Sequence, residues 1–343
     1  MNRLVIFHIG ALLFCSQSFG NTVVDQPTVR QPGLEETLSL GRQYIEGTRD
    51  DWGPEDLDFG RQLVESVASQ NVDLKSKAEA LQTLKLLSST SIELGLQYIL
   101  GKRGKRTARD IKYGRQLLER EANQGFATSE QGEALAQLGK AYLEGWLGSR
   151  TEEDLNKGLI NLQLASEQTN NLKAQALANA LMGAHLIETK GKSDLVRKKA
   201  IEHLKAAAKQ QNNHSAQSLA KLGLGQAAII THKYKTALKR LNEVTEDNQL
   251  AHLQAQGLKG QLYASGRLGS PNKTKANLHL APIANRELPQ PDPTRKHLPP
   301  LQAWQKETDT ILIARRKLML LYPSLIEPSE YEGEDPPALE TVQ

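Results

Sequence analysis

The chain has 343 residues, 38% hydrophobic and 24% charged, proportions that exclude a collagenous, disordered or largely membrane-embedded polypeptide. Its net charge of +4 is too weak a field to point to nucleic acid, so no nucleic-acid partner is expected. Aromatics are scarce at 5% and Cys15 is the only cysteine, which excludes an internal disulfide framework and favours helices over a sheet rich in Val, Ile and Tyr.

Residues 1–20 read as a signal peptide. Arg3 supplies the positive start, Leu4 to Cys15 a short apolar stretch, and Ser18 and Gly20 the small residues before a cleavage site. A lipoprotein signal also ends at a cysteine, but it wants a small residue where Phe14 stands. Lipidation at Cys15 and attachment to an outer membrane is therefore the lesser reading. Cleavage after Gly20 leaves no cysteine, and export without disulfides points to a bacterial periplasm, with secretion to the medium as the alternative. No later segment approaches the ~20 apolar residues a membrane helix needs, so no transmembrane segment is expected. Residues 21–33 are expected to be a flexible N-terminus.

From residue 34 the sequence repeats itself. Leu40-Gly41 is followed by Tyr44 and Gly47, and the spacing returns at Gly95, Tyr98 and Gly101, at Gly139, Tyr142 and Gly145, and at Gly260, Tyr263 and Gly266. Weaker copies contain Gly183 and Gly223. Gly60, Gly114 and Gly158 each stand 19 residues after the first glycine of their copy, and Ala200, Ala237 and Ala276 take that place later, after 17, 14 and 16. Such a period marks a stack of supersecondary units. Within each unit Leu, Gly and Tyr share one helical face, with the glycine admitting a close neighbour. A glycine inside a helix costs about 1 kcal/mol, so its recurrence predicts packing. The second glycine of each copy is placed to end the first helix in a left-handed turn. Thr107-x-x-Asp110 and Thr151-x-x-Asp154 have the shape of capping boxes for the second helix, and Pro54 with Glu55 and Asp56 opens it in the first copy. Residues 71–90 exceed the spacing, which predicts an extra or lengthened helix before Gly95.

The pattern of L-G-x-x-Y-x-x-G, a short turn and a second helix with its own small residue resembles the Sel-one-like repeat, a relative of the tetratricopeptide repeat. The resemblance covers residues 34–287, about six helix pairs, and includes EANQG at Glu121–Gly125. It departs at Leu186 and Gln226, where tyrosine belongs. It implies an all-α fold, a right-handed α/α solenoid of stacked antiparallel helix pairs whose concave groove binds other proteins. Exported proteins of this kind are scaffolds, the nearest type serving alginate export from the periplasm. The resemblance thus implies a protein-binding scaffold in an envelope or exopolysaccharide-secretion assembly, in contact with proteins and an acidic polysaccharide or envelope complex. Two alternatives stand beside it: a secreted effector that binds host proteins, and a peptidoglycan-binding or hydrolytic envelope protein.

Past the repeats, Pro289, Pro291, Pro293, Pro299 and Pro300 break any helix, so 288–300 reads as a proline-rich linker. Residues 301–322 carry one more amphipathic helix, with Trp304, Ile311, Leu312, Leu318 and Leu321, expected to cap the last repeat. Residues 323–343 contain six acidic residues and no basic one, and are expected to be a disordered acidic tail.

Catalytic chemistry is not expected. The histidines His185, His203, His214, His232, His252, His279 and His297 are isolated and form no i, i+4 ligand pair. Gly223-x-Gly225 lacks the preceding strand of a dinucleotide site, and Gly191-Lys192-Ser193 lacks the first glycine of a phosphate loop. No cofactor or metal is therefore predicted. The tyrosines could be imagined as a carbohydrate-stacking ladder, but their repeat position favours packing. The local feature above background is the turn GKRGKRTAR, where Lys102, Arg103, Lys105, Arg106 and Arg109 crowd together. It reads as a solvated turn or as an anion contact for a partner.

Overall fold

The computed structural model describes residues 33–46, 54–70, 74–103, 106–123, 129–148, 150–191, 193–289 and 302–322. The expected signal peptide with Cys15, nearly all of the flexible N-terminus, Gly47, most of the proline-rich linker, His297 and the acidic tail lie outside them. Among the described residues the regular elements are thirteen helices, with no strand. They follow in pairs: α1 (Leu34–Glu46) and α2 (Pro54–Ser69), α3 (Leu74–Leu100) and α4 (Ala108–Asn123), α5 (Ser129–Glu144) and α6 (Glu152–Glu167). Then come α7 (Leu172–Lys190) and α8 (Asp194–Lys209), α9 (His214–Ile230) and α10 (Tyr234–Asn242), α11 (Gln249–Ala264) and α12 (Lys273–Ala284). A last helix, α13, spans Gln302–Leu321. The lengthened segment before Gly95 is one helix of 27 residues, α3.

The chain forms two compact units, residues 1–80 and 81–343. In the first, α1 packs against α2. A methyl group at Gly41 would meet Val64 at 2.7 Å and the Gly60 carbonyl at 3.2 Å, and one at Gly60 would meet Tyr44 at 2.9 Å. Residue numbers rise on one helix as they fall on the other, so the pair is antiparallel. Tyr44 sits edge-on to Phe59 at 4.8 Å, directly beside the crossing.

The second unit repeats this construction. Gly95 crosses Gly114, and Gly139 crosses Gly158, each first-helix glycine placing its missing methyl 2.9 Å from the opposite carbonyl. Tyr98 stands edge-on to Tyr113 at 5.1 Å. At Gly183 the partner is Ala200, whose carbonyl lies 2.9 Å from the absent methyl. In the next pair the crossing residue is Gly225, which faces Leu241 at 2.7 Å, whereas Gly223 faces Leu204 of the preceding pair at 2.8 Å. The sequence repeat had aligned Gly223; the shortened turn shifts the crossing by two residues. Leu162, Leu204, Leu241 and Leu280 follow these small residues and are wholly buried, each contributing about 1.5–3 kcal/mol.

The helix ends explain the repeating turn. Gly101, Gly145 and Gly266 hold φ of 71°, 77° and 68°, the left-handed region that glycine tolerates. Gly101 N donates to Tyr98 O at 3.2 Å and Lys102 N to Gln97 O at 2.9 Å, and Gly145 and Trp146 repeat the pattern. These are paired C-terminal caps. His232, with φ 58°, takes the glycine's place in the fifth pair. The second helices then open on the predicted capping boxes, Thr107 with Asp110 at 2.8 and 3.2 Å and Thr151 with Asp154 at 3.1 and 3.2 Å. The later first helices open instead on asparagine. Asn171 and Asn213 cap α7 and α9, and each also donates to the start of the preceding first helix, at Ser129 O and Lys173 O.

Successive first helices pack together, α5 on α7, α7 on α9 and α9 on α11, while α4, α6, α8 and α10 each pack on the first helix that follows. The four first helices therefore share one side of the unit. Across it lies α13, packed on α11 and α12 through Ile311 and Ala314 and touching α5. No helix of the described residues is long and apolar enough to cross a membrane.

Candidate interaction site

The first-helix side holds a cavity of about 310 Å³ roofed by the start of α13. From α5 come Lys140 and Glu144, spaced one turn apart so that both face it, with Trp146 in the turn that follows. From α7 come His185 and Glu188, and Lys306 enters from α13. The floor is aliphatic, with Leu181 and Leu219 among its residues. Lys306 donates to both oxygens of Glu188, at 2.6 and 2.8 Å, which ties the far end of α13 to α7. The ammonium of Lys140 stands 5.0 Å from the Trp146 ring centre, within cation–π range. Among the described residues Glu144 forms no such ion pair. Burial pushes its carboxyl above the ordinary carboxylate range, against the pull of Lys140, Lys306 and Arg150.

At its other end α13 is held by backbone-directed bonds. Arg315 donates to Ala284 O at 2.9 Å and Arg286 O at 2.7 Å, and the Tyr322 hydroxyl donates to Lys273 O at 3.3 Å. The helix expected only to cap the last repeat thus also runs back along the first helices to α7 and α5. Sequence inspection missed Lys140, Glu144, Trp146, Glu188 and Lys306. The readable signal was the pair Lys140 and Glu144 on a helix side whose other members are buried.

The predicted cationic turn is divided by the structure. Arg106 is buried at 6% exposure; its Nε donates to Ile99 O at 2.7 Å and its Nη2 to Trp146 O at 3.3 Å. Its stem lies where a methyl on Gly101 would be, 2.8 Å away. Arg106 is therefore a bracket between two turns and not a surface contact for an anion. Arg150 stands in the same relation to Gly145, at 2.7 Å, and both arginines hold a positive φ, 52° and 55°. The recurring turn G-x-x-G-x-R (Gly101–Arg106, Gly145–Arg150) was present in the sequence and unread. Lys102, Arg103 and Arg109 are exposed on the surface, and Lys105 lies outside the described residues.

The predicted packing residues Gly41, Tyr44, Gly95, Tyr98, Gly139, Tyr142, Gly260 and Tyr263 lie at helix crossings. At Gly260 the close neighbour is Leu280, and Tyr263 stacks on His279, centroids 5.7 Å apart. The other histidines answer to local partners: His203 to Asn179 at 2.8 Å, His279 to Gln256 at 2.7 Å and His232 to Tyr234 at 2.7 Å. Among the described residues no group of three His, Cys, Asp or Glu side chains could hold a metal. No family model matches the chain, and neither a curated protein nor a solved structure matches it.

Proposed function

We propose that this chain is a non-enzymatic, exported interaction scaffold, a right-handed α/α solenoid of Sel-one-like repeats. Its first-helix side would hold protein partners in an exopolysaccharide-secretion or other envelope assembly of the periplasm. The observation that carries the reading is the seating of α13 on that side, since a groove that holds an amphipathic helix of its own chain has the dimensions and apolar floor to hold one from a partner. The repeat supports a long binding surface, and the signal-like pattern of residues 1–20 supports the compartment proposed.

The test is affinity capture of the tagged full chain from envelope fractions. Recovery of an inner-membrane synthase or outer-membrane porin is the expected result, and a Ser215→Trp change at the cavity wall should reduce it while leaving thermal stability intact. Recovery of no envelope protein overturns the reading. A hydrolytic reading has one point in its favour, the desolvated Glu144 sharing a cavity with Glu188. Against it, Lys306 occupies both oxygens of Glu188, and a carboxylate so committed is a poor base or nucleophile. Peptidoglycan cleavage that Glu144→Gln abolishes would reinstate it.

A further inference from the structure

Charge is unevenly spread along this chain. Residues 191–286 contain sixteen lysines and arginines against five acidic residues, whereas residues 323–343 contain six acidic residues and no basic one. The structure gathers part of that positive charge at one edge of the second unit, where the turn between α11 and α12 meets the start of α10. Arg267 lies over the Tyr234 ring at 5.3 Å and Lys275 over the Tyr263 ring at 5.4 Å. Lys233, Lys235 and Lys273 stand exposed beside them. No carboxylate of a described residue forms an ion pair with any of these five cations, although Arg197 and Arg240 nearby are paired with Asp194 and Glu243.

The cations also sit against the local helix fields. The second helices α4, α6 and α8 carry Asp110, then Glu152, Glu153 and Asp154, then Asp194 in their first turns. In α10 and α12 the first turn has no acid and holds Lys235, and Lys273 with Lys275. A cation at the positive end of a helix is unfavourable and an anion there favourable, so this edge lacks the negative charge that its counterparts supply from within.

The missing charge leaves the described structure at the same place. The last described residue, Tyr322, is bonded through its hydroxyl to Lys273 O. Glu327 follows five residues on, a reach of about 17 Å, and Glu340 eighteen on, up to about 60 Å. We infer that the acidic segment Glu327–Glu340 docks on the edge formed by Lys233, Lys235, Arg267, Lys273 and Lys275, supplying the anions that α10 and α12 lack. An outside polyanion would reach that edge only by displacing the tail. The inference is independent of the proposed scaffold role.

Zero-length carbodiimide cross-linking of the full chain, read by mass spectrometry, tests it. Links should join the carboxylates of Glu327, Glu330, Glu332, Glu334 and Asp335 to Lys233, Lys235, Lys273 and Lys275 within one chain. They should fall several-fold in about 0.5 M NaCl, where screening acts over about 4 Å, and in Lys273→Glu/Lys275→Glu with unchanged helical circular dichroism. Links spread over exposed lysines in general, Lys77, Lys85 and Lys157 included, would overturn the inference. So would links formed only between chains in a mixture of isotope-labelled and unlabelled protein.

Discussion

Gly139 shows how much a single missing methyl decides. A Cβ there would stand 2.5 Å from Leu162 and 2.9 Å from the Gly158 carbonyl, and neither a buried leucine nor a backbone can retreat cheaply. Gly139→Val should lower unfolding free energy by about 2–3 kcal/mol, as overpacking does, measured by urea denaturation. Gly132, in the same helix, would meet only ordinary contacts at 3.4 Å. Gly132→Ala should therefore be neutral or stabilising by up to about 1 kcal/mol. Equal losses at both positions would mean the crossing is not special. Arg106 makes the complementary point. Arg106→Ala removes the donor from two carbonyls and the packing over Gly101, and should cost about 1–3 kcal/mol. Arg106→Lys should fail to restore it, because an ammonium lacks the flat fork that spans Ile99 and Trp146.

At the scale of the element, the helices whose ends were written into the sequence were the readable ones. Glycine at 101 and 145, and threonine with aspartate at 107 and 151, fixed limits because each residue type has one cheap role at a helix end. The fifth pair was misaligned by two residues because its turn is shortened and ends its first helix on His232 in place of the glycine that marks that end in other pairs. The position of α13 was not legible either. Its amphipathic pattern requires a partner surface, but a period of 3.6 carries no information about which of several apolar faces will receive it. Arg106 looked like part of a charged loop since composition does not reveal burial. Ile311 gives the test at this scale. It is fully buried between α11 and α12 residues, so Ile311→Ala should cost about 2–4 kcal/mol locally. Hydrogen exchange should quicken in α13 and along the first-helix side, and not in α1 and α2.

For the whole molecule, partly desolvated titratable groups set a pH response of opposing signs. Burial lowers His203 and His279 from the ordinary 6.5, with Lys199 adding to the first and Lys259 to the second. Their unfolded forms bind protons first, so their contribution to stability is intact above about pH 6.5 and is lost as pH falls below it. Glu133 and Glu144 are raised, chiefly by desolvation, and destabilise the fold as pH climbs through the interval above 4.5. The comparison to make is therefore between variants. His203→Gln/His279→Gln should flatten the fall in urea midpoint between pH 7 and 5, and Glu144→Gln should steepen it.

A row of hairpins joined only to their neighbours behaves as a spring, soft to bending because each joint yields a little. A rod fastened across several coils removes that softness. α13 spans from α12 back to α5 in this way, so the pairs from α5 to α12 should breathe together, with Lys306 and Glu188 the outermost joint. That joint is partly solvated, with side-chain exposures of 26% and 24%, and an ion pair so placed contributes about 1 kcal/mol at most. Raising ionic strength should therefore loosen the Glu188 end of α13 first, while the end held by Ile311 and Arg315 stays in place.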